Sequence, residues 1–308
     1  MQENKGHRNP FLLAPALILP ILVPFGAMSF IPALPGKGMV ANIVALVSVL
    51  LLFGCAIAAS FYLRGAGWMA VCFGGAKKGS FLLSLSAAGM MMVQSAGIRS
   101  FLTENFYDYR IYSLYGVAFE SKTDSIGSFV LTFVVLAVVP VLMEEVLFRG
   151  FLLHEYRYGG AFLSILVSSL LYAVMGMSLA DIPVYFLNGV LLSAVVFLTG
   201  NLFFSVLSHL LYALFALSLE KYLFFIATET RLLIFLVLVA LGLASAIGFC
   251  GSAEKILRAR GENEERMPVR LKKGKFFVIL RDILAAPMLW ADAVCFAVIC
   301  VLHIFLDA

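Results

Sequence analysis

The chain has 308 residues, of which 62% are hydrophobic and 13% charged, with a net charge of +4 and a mean hydropathy of +1.02. A soluble domain of this length cannot bury that much apolar surface. The apolar runs are long and do not alternate, which favours membrane-spanning helices over a β-barrel, and no polar stretch is long enough to form a soluble domain.

In chain order, residues 1–10 are polar and carry Lys5 and Arg8. The apolar run at about 11–33 looks at first like a signal peptide. It is too long for an h-region, is broken by Pro15, Pro20 and Pro24, and lacks a small-x-small cleavage site. It reads as an uncleaved, kinked first span. A second span is predicted at about 39–63. Arg64, Lys77 and Lys78 then flank a short apolar stretch that puts Trp68 at the membrane interface, and a third span follows at about 80–101. Residues 102–124 form a polar connection rich in aromatic side chains: Phe106, Tyr107, Tyr109, Tyr112, Tyr115 and Phe119. Such density suits interface anchoring, with a lid over a cavity as the alternative.

Further spans are predicted at about 125–153, 160–178, 183–199, 202–219 and 230–252. The linkers between the fourth and seventh spans are very short, so these four helices pack as antiparallel neighbours. Residues 253–275 are strongly basic (Lys255, Arg258, Arg260, Arg266, Arg270, Lys272, Lys273, Lys275). The last apolar run, 276–306, is too long for one straight span and is expected to kink at Pro287. The expected fold is therefore all-α: a single polytopic membrane domain over 1–308 with about eight or nine spans.

Lysine and arginine set the orientation. With a cytoplasmic N-terminus, the connections at 64–79, 154–159, 200–201 and 253–275 fall inside and hold most of the positive charge. An integral protein of a bacterial plasma membrane is expected, with the 253–275 loop on the cytoplasmic side favouring anionic lipid head groups. Cys55, Cys72, Cys250, Cys295 and Cys300 lie in or beside apolar segments without a CxxC pair and read as small buried hydrophobes. Of four histidines, His209 alone lies deep in an apolar run beside small polar residues.

One stretch stands apart. Val138 to Phe151 reads VVPVLMEEVLFRGF and sets Glu144, Glu145 and Arg149 in an otherwise apolar helix. Each charge costs about 2.5–3.5 kcal/mol at the centre of a membrane helix. They either anchor a helix end or line a wet, protein-walled cavity. Glu145 and Arg149 are four apart and can pair, while Glu144 points about 100° away and is placed to act as a base.

Over roughly 124–219 the sequence resembles the CPBP family of membrane endopeptidases, the CAAX-protease and bacteriocin-processing proteins. PVLMEEVLFRGFLL looks like that family's E-E-x-x-x-R motif. YFLNGVLLSAVVFLTGNLFFSVLSHLLYA looks like its stretch ending in a core histidine. The resemblance implies a four-helix core around an intramembrane cavity in which Glu144 activates water for attack on a peptide bond. It assigns support to Glu145 and Arg149 and the oxyanion to His209. Substrates would be membrane peptides or proteins, with no cofactor and no nucleic acid.

Two positions depart from the motifs. Where F-x-x-x-H is expected, Tyr172 takes the aromatic place and Gly176 the histidine place; where H-x-x-x-N is expected, Ala213 replaces the asparagine. Glycine at 176 is expected to leave a water-holding void on the face of the fifth span that looks toward Glu144. A non-catalytic pseudoprotease that holds a membrane peptide or partner helix is therefore the alternative. A transporter subunit finds no internal repeat to support it. Glu144, Glu145 and His209 offer three potential zinc ligands, but the motif is not H-E-x-x-H. Asp292, an ionisable residue in the last run, reads as a packing pair or partner contact outside the family-like core.

Overall fold

The computed structural model describes residues 10–30, 38–71, 74–75, 77–106, 112–114, 117–119, 126–177, 179, 181–262 and 273–306. Its helices are α1 (Pro10–Ser29), α2 (Gly38–Arg64), α3 (Ser80–Phe106), α4 (Ile126–Glu155), α5 (Gly160–Val174), α6 (Ile182–Thr199), α7 (Leu202–Ser218), α8 (Glu220–Glu262), α9 (Lys273–Leu284) and α10 (Pro287–Leu306). One hairpin departs from the all-helical expectation: β1 (Tyr112–Leu114) pairs antiparallel with β2 (Val117–Phe119), Tyr112 opposite Phe119, inside the aromatic connection.

This is an integral membrane protein by the length and apolarity of its helices. Five helices are long and apolar enough to cross a membrane, or six if α9 and α10, bent by 54° at the break before Pro287, form one broken span. The kink expected at Pro287 is there, because proline cannot continue the α9 hydrogen-bond ladder. Two other predicted spans, α5 with 15 residues and α7 with 17, are shorter apolar helices, as is the Pro15–Ser29 stretch of α1.

Three boundaries differ from the sequence reading. Helix α8 runs 43 residues, so the predicted outer connection at 220–229 is helical, and so are the first ten residues of the basic segment, 253–262. Charged residues inside a helical turn satisfy the backbone as well as apolar ones do, so hydropathy marks where the bilayer ends and not where the helix ends. Helix α5 stops at Val174, short of 178, in a turn where Met177 takes a left-handed φ of 51°. Trp68 is 2% exposed, wedged between Phe61 and Phe151 with ring centroids at 4.8 and 5.8 Å. It is a core residue, packed inside the protein.

The main core is built from several helices: Ile18 and Leu22 of α1, Phe53 of α2, Phe151 of α4, Leu171 of α5 and Ile299 of α10. Helices α4, α5, α6 and α7 form the core group, and α3 packs along α6, α7 and α8. Small residues set the α3–α8 approach, since a side chain on Gly89 or Gly248 would collide with Ser245 or Ser86. The outer face of α8, with Leu233, Phe235, Leu236, Leu243 and Ile247 exposed, suits contact with lipid tails.

The connections gather at one end. Arg64 at the end of α2 pairs with Glu155 at the end of α4 at 3.0 Å. Asn201, in the α6–α7 turn, donates to the Gly74 carbonyl, and Gly79 lies against Ile256 of α8. Near the other end of α3, Arg99 pairs with Asp181 at the start of α6, at 3.2 Å.

Candidate active site

Helix α4 is not a uniform α-helix. It widens into π-helical turns at Val134–Val138 and again at Glu145–Leu152. The first widening has a local cause: Pro140 lacks an N–H and its ring crowds the carbonyl four residues back, so the ladder opens to the Val139 N–H bonding to the Val134 carbonyl. The second closes with the Leu153 N–H on the Phe148 carbonyl. Ser168 of α5 donates to that same Phe148 carbonyl at 2.9 Å, fixing the widened turn against the next helix. This turn carries Glu145 and Arg149.

Glu144, Glu145, Arg149 and His209 come together, all at most 5% exposed. Arg149 Nη1 lies 3.2 Å from Glu145 Oε1, so the predicted four-residue pairing is present. His209 Nδ1 stands 2.9 Å from the same Oε1, and Ser205, one turn earlier on α7, donates to Glu145 Oε2. Since an ionised carboxylate only accepts, Nδ1 carries a proton. The other ring nitrogen, Nε2, faces two groups: Glu144 Oε2 at 3.8 Å and the Tyr172 hydroxyl at 3.3 Å. Glu144 thus looks inward, beside His209, and not toward lipid.

The two carboxylates are therefore differentiated. Glu145 is held by a guanidinium, an imidazole N–H and a hydroxyl, so its oxygens are committed. Glu144 stands at the other imidazole nitrogen. Arg149 is fully buried, with its guanidinium carbon 4.1 Å from the centre of the Tyr172 ring and 5.7 Å from that of Phe148. Apart from the contact with Glu145, its N–H groups meet no acceptor at hydrogen-bonding geometry among the described residues. The cation is kept by one carboxylate and two aromatic faces.

The expectation for Gly176 fails. It lies just beyond the end of α5, and a Cβ there would stand 3.0 Å from Cδ2 and 3.3 Å from Cε2 of Tyr185. The ring of Tyr185 fills the place where a void was predicted, with its centroid 5.3 Å from that of Tyr172. Tyr185 was missed because α6 was read only as a span; its position three residues before the buried Asn188 is the signal that places it inward. Ala213 packs with Ala137 and Val141 of α4, where its small side chain lets α7 approach α4 closely.

Helix α3 contributes polar groups that the sequence reading did not assign to the site. Gln94 donates to Asn188, and Ser95 hydrogen-bonds the Tyr212 hydroxyl at 3.0 Å. Tyr212 lies on α7 beside His209, with ring centroids 6.4 Å apart. Asp292 is 1% exposed on α10, and neither of its oxygens meets a hydrogen-bond donor among the described residues. It is not in contact with the cluster. No group of three or more His, Cys, Asp and Glu side chains with metal-binding geometry occurs among the described residues.

Residues 126–215, α4 through most of α7, match the family model described as Type II CAAX prenyl endopeptidase Rce1-like. The match covers under a third of the chain and is consistent with the CPBP resemblance. The family is one of membrane proteases. No curated protein and no solved structure matches the chain.

Proposed function

We propose that the chain is an intramembrane glutamate endopeptidase that cuts membrane-associated peptides or proteins at a site made by α4 and α7. The observation that carries this is that two adjacent carboxylates bracket one imidazole, Glu145 at Nδ1 and Glu144 at Nε2. Glu145 is tied to Arg149, His209 and Ser205, while Glu144 stands 3.8 Å from His209 Nε2, a gap that one oxygen atom can bridge. Glu144 takes a proton from water, and the water oxygen attacks the carbonyl carbon. The carbonyl oxygen becomes an oxyanion facing His209. The C–N bond then breaks, and Glu144 passes its proton to the leaving amine.

The test is cleavage in liposomes. Purified protein is incubated with a prenylated CAAX-type peptide and a panel of apolar peptides, and products are read by mass spectrometry. Wild type is expected to release fragments and Glu144→Gln to release none. Equal cleavage by both removes Glu144 as the base. If neither cleaves but both retain a peptide, the protein is a non-catalytic binder. The departures at Gly176 and Ala213, with the Tyr185 ring in the motif histidine's place, favour that second reading.

We also propose that the end of the bundle bearing Arg64, Glu155, Asn201 and Lys255 faces the cytoplasm together with the N-terminus, with anionic lipids at the basic segment. The basic side chains gather there as the positive-inside rule requires. A single cysteine at Arg258, in a background with the native cysteines replaced, is expected to react with an impermeant maleimide only after cells are permeabilised. Labelling of intact cells would reverse the orientation.

A further inference from the structure

We infer that the Tyr172 hydroxyl is the second donor of the oxyanion site, standing in for the amide that Ala213 does not provide. This rests on the endopeptidase reading above and adds a residue to it. The Tyr172 oxygen and His209 Nε2 are 3.3 Å apart. Two donors at that separation can both reach one oxygen at about 2.7–3.1 Å, the spacing a developing oxyanion requires. An arriving oxyanion replaces the contact between them with two charge-assisted ones.

The surroundings fix the hydroxyl in place. The Tyr172 ring packs edge-on against Phe148 at 5.2 Å and lies beside Tyr185 at 5.3 Å, and it is 2% exposed. Its face carries the Arg149 guanidinium at 4.1 Å, and a cation on the ring draws electron density from the phenol and strengthens the O–H as a donor. His209 is fixed as firmly, since Glu145 holds Nδ1 at 2.9 Å and so directs Nε2 toward Tyr172 and Glu144. Donor pair and base therefore meet at one point without any side chain having to move. Phenylalanine at this position would preserve the packing and remove only the hydroxyl.

The experiment compares wild type, Tyr172→Phe and Glu144→Gln in liposomes. It measures kcat and KM for a cleaved peptide and the affinity for its phosphinic analogue, a tetrahedral mimic of the oxyanion. Tyr172→Phe is expected to lower kcat about 100-fold with KM unchanged, the usual effect of losing one oxyanion donor. Affinity for the phosphinic analogue should fall by a similar factor, while the unfolding midpoint stays near wild type. If Glu144→Gln is dead and Tyr172→Phe keeps kcat within about threefold, the oxyanion role is overturned and the endopeptidase stands. If kcat and affinity for the ground-state peptide fall together, Tyr172 serves packing and the inference is again overturned. If wild type cleaves nothing, the analogue decides: an affinity that Tyr172→Phe leaves unchanged overturns the inference.

Discussion

Glu145→Ala is expected to destabilise the protein by about 3–5 kcal/mol, the cost of breaking a buried ion pair from one side. Arg149 is fully buried, and its one ionic partner among the described residues is Glu145 at 3.2 Å. With that carboxylate gone the guanidinium keeps only the faces of Tyr172 and Phe148. His209 Nδ1 loses its acceptor in the same step, and Ser205 is left with the Leu192 carbonyl at 3.3 Å. The double variant Glu145→Ala/Arg149→Met removes the stranded charge and should recover a large part of the loss, since an apolar side chain of similar length can fill the space. Unfolding in mixed micelles, followed by far-UV circular dichroism, measures both. A single variant as stable as wild type, or a double variant no better than the single, would mean that Arg149 is neutralised by something other than Glu145.

The charged core of the site was legible because charge is costly in an apolar helix. Glu144, Glu145, Arg149 and His209 stand out against the residues around them, and spacing alone paired Glu145 with Arg149. The helical, membrane-spanning character also followed from hydropathy, apart from boundaries where charged residues continue a helix, as in α8. What stayed hidden depends on the turn and on the neighbour. An ideal period of 3.6 residues does not foresee the π-helical turn at Glu145–Leu152. The motif spacing placed Gly176 on the face of a helix that in fact ends two residues earlier, so a vacancy was expected where Tyr185 packs. Tyr172 was visible only as a departure from phenylalanine. Its hydroxyl gains meaning once α5 and α7 are side by side, 37 residues apart in sequence and 3.3 Å apart in space. The polar support from Gln94 and Ser95 was beyond reach for the same reason. Helix α3 lies outside the family-like segment, and nothing in its own sequence says which helix it faces.

Gly189→Val is expected to cost about 1–3 kcal/mol and to lower cleavage on the order of 100-fold. A Cβ at Gly189 would stand 2.9 Å from both Cα and Cβ of Ser169 and 3.2 Å from its Oγ. The Ser169 backbone cannot rotate away as a flexible side chain would. Its hydroxyl is also bound back to the Ile165 carbonyl at 2.6 Å. So α5 and α6 must separate at their closest approach. Tyr172 lies one turn along α5 from Ser169, and Tyr185 lies one turn along α6 from Gly189. Parting the helices therefore loosens the ring contact that positions the Tyr172 hydroxyl beside His209. A shift of about 1 Å at that distance from the chemistry is enough for a 100-fold loss. Gly189→Ala meets the same Ser169 backbone with less bulk and should fall between wild type and the valine variant in both stability and rate. Cleavage and the micelle unfolding midpoint, measured on all three, give the order. If the valine variant matches wild type in both, α5 and α6 are not in backbone contact at this point, and the placement of Tyr172 does not depend on it.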